Sequence, residues 1–242
     1  MGPPPLEIVA EYPDFLVVRK PAGLPCHPTK HGPWSSLAAR LRWYLGSGPI
    51  HFVNRLDAET SGLVLVAKQV EVARVLRRLW ERGKVKKVYW AIVHGWPEKE
   101  ADIIKARIGK DETSPIAVKS SVRPDGAYAV TFYRVLQRFE RSEGRFSLLE
   151  LQPLTGRKHQ LRVHLASIGH PIVGDKIYGI VPDAYLAMVE GRLTDEQRQR
   201  LLLPYQALVA RELSFSYAAQ DYRFTCAPEP WFEAFLRGFE EK

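Results

Sequence analysis

Short runs rich in Val, Ile, Leu, Tyr and Phe punctuate the more polar positions of this chain, at LEIVAEY (6–12), FLVVRK (15–20), LVLVAK (63–68), VYWAIVHG (88–95), VTFYRVLQRF (130–139) and FSLLELQPL (146–154), bounded by Gly, Pro and Asp. Runs of this length and composition between turn residues predict β-strands. The spacing changes at 35–45, where Leu37, Leu41 and Tyr44 fall on one helical face, and at 70–83, where Val72, Leu76, Leu79 and Trp80 do the same. A third helix is expected after Gly156 through HQLRVHLASIG, and a fourth at PWFEAFLRGFEEK. Successive strands at 6–20 and 130–154 are separated only by turns, which favours antiparallel pairing in a mixed sheet over a repeating βαβ barrel. The expected class is α+β: one domain over 1–242, with a mixed, largely antiparallel sheet flanked by helices and loops. A charged stretch at 183–202 reads as an insertion, in which Thr194 is placed to cap a short helix.

Composition narrows the function classes. Hydrophobic residues make up 45% and charged residues 26% of 242 positions, the balance of a chain that buries a core, so disordered and collagen-like readings fall away. The net charge is +8, which tilts the expected partner toward a polyanion such as nucleic acid. Cys26 and Cys226 lie too far apart in sequence for a CxxC motif or a disulfide framework, which suits a reducing compartment, and the cytoplasm is the expected location. No apolar run approaches the roughly 20 residues of a membrane span, and the N-terminus carries neither a signal-peptide pattern nor a myristoylation pattern.

Three segments carry candidate chemistry. In NRLDAETSGLVLVAK (54–68) a turn presents Asp57 two residues after Arg55, and the carboxylate reads either as a nucleophile or general base or as an ordinary turn residue. In LTGRKHQLRVHLASIGHPIVGD (154–175) Arg157, Lys158, His159, Arg162, His164 and His170 crowd together. Lys158 and Arg162, four apart on a helix, would share a face, and their mutual repulsion calls for an anion opposite: a phosphate, or a carboxylate such as Asp57. The alternative is a solvated basic face. The histidines lack metal-ligand spacing and read as structural. In KVKKVYWAIVHGW (84–96) Tyr89 and Trp90 point to opposite sides of a strand that follows Lys84, Lys86 and Lys87. The chain contains no GxGxxG, Walker A, GxSxG or zinc-deaminase signature.

Taken in order, FLVVRKPAGLPCHP (15–28), RLDAETSGLVLVAK (55–68), KVYWAIVHG (87–95), DGAYAVTFYRVL (125–136) and LTGRKHQLRVHLASIGHPIVGDKIYG (154–179) resemble the RluA-type RNA pseudouridine synthases, over about residues 6–227. The resemblance implies an isomerase that converts specific uridines in tRNA or rRNA to pseudouridine without cofactor or metal. It implies that Asp57 is the essential aspartate, Tyr89 the active-site tyrosine that stacks on the uracil, and Arg162 the arginine that ion-pairs with the aspartate. Arg55 resembles the arginine that fills the space of the flipped nucleotide. Leu161 resembles an apolar pocket position beside Arg162, and Arg157 and Lys158 are the accompanying substrate-binding candidates. The implied partner is an RNA stem-loop, with no membrane and no obligatory protein partner, and a monomer is expected.

This sequence departs from the family pattern at Asn54, where the family has His, at Arg19, where Asn is common, and at Val209, again in place of His. The chain starts directly in the catalytic region, so no S4 domain is expected and recognition should come from that region itself. Two rivals use the same residues. One is an RNA-binding protein or chaperone of this fold whose chemistry is dispensable; the other is a hydrolytic N-glycosylase.

Overall fold

A computed structural model describes residues 2–28 and 32–238. In chain order the elements are β1 (Glu7–Glu11), β2 (Phe15–Lys20), α1 (Leu37–Tyr44), β3 (His51–Phe52), β4 (Ser61–Ala67), α2 (Val70–Glu81), β5 (Lys86–His94), β6 (Ala101–Lys105), β7 (Ile108–Lys110), β8 (Ser120–Val122), β9 (Val130–Arg141), β10 (Gly144–Pro153), α3 (Gln160–Ser167), α4 (Ala184–Val189), α5 (Asp195–Leu201), β11 (Leu208–Tyr217), β12 (Gln220–Thr225) and α6 (Pro230–Arg237). This is the expected α+β arrangement, mostly antiparallel with helices interspersed. The chain divides into two compact units, one formed by the residues up to Val88 with Val209–Glu229, the other by Tyr89–Leu208 with the segment from Pro230 onward. β5 and β11 each run from one unit into the other.

In the first unit the strand order is β1-β2-β4-β11, with β12 on β11 and β3 on β4. All seven residues of β4, SGLVLVA, are buried, as a strand covered on both faces must be. Each fully buried Leu or Val there contributes about 1.5–3 kcal/mol. β4 pairs antiparallel with β2 from Lys20↔Gly62 to Phe15↔Ala67, and parallel with β11 at Ser61↔Val209 and Gly62↔Ala210. The parallel contact is close: a Cβ on Gly62 would lie 2.4 Å from the Ala210 carbonyl oxygen, and Gly62 has φ +116. Only glycine fits there. Cys26 and Cys226 are buried free thiols, and burial pushes the Cys226 thiol up to about 11.

In the second unit β5-β10-β9-β6 form antiparallel ladders, and β7 and β8 make a separate two-stranded sheet. Phe139 and Phe146 stack, and Phe235 of α6 meets both edge-on at 6.2 and 5.1 Å, so the final helix docks through its aromatic face. The end of the predicted fourth helix, 239–242, lies outside the described residues. Within the expected insertion Thr194 caps α5 through a capping box with Gln197, and α4 is an additional helix. Val181, Ala184 and Leu201 form a small core of their own there.

Candidate active site

Asp57 sits in the loop from β3 to β4, and the loop is held at several points. Val53 N–H donates to the Leu65 carbonyl, and the buried Asn54 side chain bridges two backbone groups of β4, donating to the Leu63 carbonyl at 3.3 Å and accepting from Leu65 N–H at 2.8 Å. Asn54 therefore continues the β3–β4 pairing with its amide. Beyond it Arg55 is exposed, its Nη1 3.2 Å from His27 Nε2, while Leu56 is buried and its carbonyl accepts from Cys26 Sγ. Asp57 is half-buried, and its carbonyl receives Thr60 N–H in a tight turn.

The residue that ties this loop to the sheet was not among the sequence candidates. Lys20, the last residue of β2, is fully buried, and its Nζ donates to the carbonyls of Pro21, Leu24 and Ala58 at 2.9, 2.8 and 2.9 Å. Desolvation pulls its pKa down to about 8, against the opposing influence of Cys26, Glu229, Asp57 and Glu59. In the sequence it is the second of two cations that end the apolar run FLVV.

Tyr89, Arg157, Lys158, Leu161 and Arg162 stand in the second unit. Tyr89 is half-buried on β5, opposite Leu151 of β10. Arg162 and Leu161 are buried on α3. The helix begins three residues later than the sequence suggested, because buried Gln160 spends its side chain on the preceding loop. Its Oε1 accepts from Thr155 Oγ1 and Arg157 N–H, and its Nε2 donates to the Val130 carbonyl and Thr131 Oγ1. His159 caps the helix in the left-handed region at φ 54. Lys158 thus lies outside the helix and is exposed while Arg162 is buried, which corrects the shared-face expectation. Arg157, also exposed, donates to the Tyr128 carbonyl.

The anion beside Arg162 in this unit is Asp175. Arg162 Nε and Nη2 reach its two carboxylate oxygens at 2.6 and 2.9 Å, a bidentate fork with both side chains buried. Burial alone would push the Asp175 carboxyl up, but the Arg162 guanidinium and the N–H groups of Tyr178 and Ile177 outweigh it and hold it below the usual range. The Tyr178 ring lies 5.0 Å from the guanidinium, and its hydroxyl accepts from Ser120 N–H and lies 2.7 Å from His159 Nδ1. Asp175 and Tyr178 lie in the GDKIYG stretch, whose sequence alone gives neither of them a role. His164 and His170 are likewise hydrogen-bonded, to Thr131 and Ala106 and to the His94 carbonyl, as structural histidines are.

The sequence pattern of the RNA pseudouridylate synthase family matches residues 14–167, a span that includes the aspartate loop, Tyr89 and α3. The chain belongs to the RluA-type pseudouridine synthase family. It is 37% identical over 178 residues to the RNA pseudouridine synthase YhcT of Bacillus subtilis (strain 168), covering 72% of this chain and 58% of that protein. It is 37% identical over 223 residues to the ribosomal large subunit pseudouridine synthase D of Nitrosomonas europaea, covering 88% and 58%. A relative from Helicobacter pylori (strain J99 / ATCC 700824) is 32% identical over 96% of this chain and 76% of its own length. The chain thus spans under two thirds of the length of several relatives it matches. Among solved structures, human RNA pseudouridylate synthase domain containing 1 superposes with a TM-score of 0.73 at 28% identity, over 95% of this chain and 87% of that one. Domain containing 4 gives 0.72 at 27%.

Against the family pattern the three departures have structural partners. Asn54 bridges β4, Arg19 pairs with Glu7 at 2.8 Å, and Val209 is fully buried opposite Ser61.

Proposed function

We propose that the protein isomerises specific uridines of tRNA or rRNA to pseudouridine, with Asp57 as the nucleophile or base and Arg55, Tyr89, Leu161 and Arg162 serving the flipped nucleotide. The observation that carries this reading is the family match across the aspartate loop, in which Asp57 keeps partial solvent access on a loop anchored through Asn54 and Lys20. A reacting carboxylate needs both properties: access to the sugar or base, and a backbone that does not yield when substrate arrives.

Within this reading the uridine leaves its stack at a cost of a few kcal/mol, lowest in a loop, and Arg55 and Tyr89 replace the lost stacking. Asp57 then attacks C1′, removes the C2′ proton to give a glycal, or adds to C6 of the uracil. In each case the N1–C1′ bond breaks, the base turns, C5 bonds to C1′, and the C5 proton leaves while N1 gains one. Electrons and atoms balance without an external oxidant or reductant, so the chemistry calls for no redox cofactor. Arg162, fixed by Asp175, supplies positive charge for the carboxylate, and Arg157 and Lys158 contact the RNA. The enzyme acts as a monomer in the cytoplasm; among the described residues no helix is long and apolar enough to cross a membrane.

The test is tritium release from RNA bearing uridine labelled at C5, extracted from cells lacking the gene. Wild-type protein releases tritium, and Asp57→Ala or Asp57→Asn does not while still binding the RNA. Activity retained in either variant would sink the reading. No release by the wild type from tRNA or rRNA, with RNA binding intact, would point to the binding-protein alternative, and free uracil with an abasic site would point to the glycosylase.

A further inference from the structure

We propose that the exposed ridge of α2 binds the phosphodiester backbone of the RNA next to the target uridine. The inference rests on the RNA-modifying reading above and extends it to a surface outside the reacting residues. The segment 70–87 holds seven cationic residues, Arg74, Arg77, Arg78, Arg82, Lys84, Lys86 and Lys87, against two carboxylates, Glu71 and Glu81. These eighteen residues carry a net +5 of the chain's +8. The charge is therefore local, not spread over the surface.

Not all of the seven are available to a ligand. Lys87 is buried with its Nζ over the Trp80 ring at 5.3 Å, and Lys86 lies 3.7 Å from Glu212. Arg77 donates twice, through Nε and Nη2, to the Phe52 carbonyl. Arg74, Arg78, Arg82 and Lys84 remain exposed, and among the described residues none of them forms an ion pair, although Glu71 and Glu81 share the face. Arg74, Arg78 and Arg82 are four apart, so they form one line with successive members about 6 Å apart along the axis. Like charges at this spacing destabilise a helix. A regularly spaced polyanion lying along the line removes that cost and releases counterions.

The position of the ridge explains why its partner would be the substrate. Phe52, whose carbonyl Arg77 holds, is the last residue of β3, three residues before Arg55, and its ring packs edge-on against His27 at 5.4 Å. His27 in turn meets Arg55. Along the backbone, Phe52 and Arg55 are at most about 11 Å apart. A strand whose uridine is replaced by Arg55 therefore has its neighbouring phosphates within a short distance of this helix.

The experiment measures binding of a fluorescein-labelled RNA hairpin with a uridine-bearing loop as a function of salt, using the full chain, its Arg74→Ala/Arg78→Ala/Arg82→Ala triple variant and the corresponding triple Lys variant, with circular dichroism to confirm folding. The Ala variant is expected to lose affinity at least tenfold at physiological salt, and the slope of log affinity against log salt should shrink by roughly 2 to 3. The Lys variant should keep the wild-type slope. An unchanged slope and affinity in the folded Ala variant would overturn the proposal. So would retained RNA binding with selective loss of polyglutamate binding, which would identify an acidic protein as the partner. Tritium release by the wild type is scored separately. Ridge-dependent binding without release leaves the ridge standing and removes the isomerase reading, whereas release with a ridge-independent slope does the reverse.

Discussion

Lys20 keeps its ammonium group against three backbone carbonyls with no exposed surface, and desolvation brings its pKa down to about 8. Through the Ala58 carbonyl it grips the residue after Asp57, so its charge bears on the geometry of the aspartate loop. Tritium release is expected to fall as pH rises through about 8 and Lys20 loses its proton. Lys20→Met should remove that alkaline limb and lower turnover at neutral pH on the order of 10²-fold, the usual penalty for a misplaced reacting group. Stability should move the other way. The folded pKa lies below the ordinary 10.5, so between pH 8 and 10.5 the unfolded chain holds a proton that the folded chain has lost, and the contribution of this group rises with pH across that window. Denaturant midpoints of wild type and Lys20→Met, compared over that range, check the sign. At this scale the sequence was partly legible. Asp57, Tyr89 and Arg162 stood out through a specific motif, whereas Lys20 and Asp175 matter through burial, which no local pattern of charge reveals.

Elements with a long apolar run or a clear helical period are legible in the sequence. β2, β4, β5, β9 and β10 fall close to the runs rich in Val, Ile, Leu, Tyr and Phe, and α1 and α2 lie within their helical faces. β6, β7 and β8 lie outside the expected runs, because strands of three to five residues are too short for an apolar run or an alternation to stand out. β11 alternates in its second half, with Leu213 and Phe215 buried between more exposed neighbours, but it follows closely on the charged stretch at 183–202, which masks it in the sequence. The onset of α3 was misplaced because Gln160's tertiary hydrogen bonds override the helical period that continues backward through Lys158. The close approach of β4 and β11 also belongs to this scale. Gly62→Ala would set a Cβ against the Ala210 backbone at a positive φ, and the two strands would have to separate. The expected cost is roughly 2 to 5 kcal/mol from backbone strain and overpacking, read as a lowered denaturant midpoint, with activity reduced because β4 anchors the aspartate loop through Asn54. A midpoint within error of wild type would show that the parallel contact gives way cheaply.

Neither compact unit is continuous in sequence: the first borrows Val209–Glu229, and the second ends with the segment from Pro230 onward. The family match stops at residue 167, yet in each unit groups beyond it hold the candidate residues in place. β11 supplies the partner for Ser61 and Gly62 beside the aspartate loop, and Glu229 accepts Ala22 N–H at 3.1 Å next to the turn that binds Lys20. In the second unit Asp175 and Tyr178 hold Arg162, and Phe232 and Phe235 of α6 are buried. A chain cut after Ser167 keeps Asp57, Tyr89 and Arg162 but loses all of these. β4 would lose its pairing at Ser61 and Gly62, directly after the aspartate loop, and Arg162 would lose the Asp175 fork, a change worth about 3–5 kcal/mol when one partner of a buried pair is removed. Net stabilities of domains are only about 5–15 kcal/mol, so this loss, added to that of β11, β12 and α6, removes most of the margin. The truncated chain is therefore expected to lack a cooperative thermal transition, to aggregate and to release no tritium, while adding back residues 168–242 in the same chain restores the transition, the solubility and the release. Calorimetry and light scattering on the 1–167 fragment decide it: a cooperative transition in a soluble monomer would mean that the matched span folds without its borrowed strand.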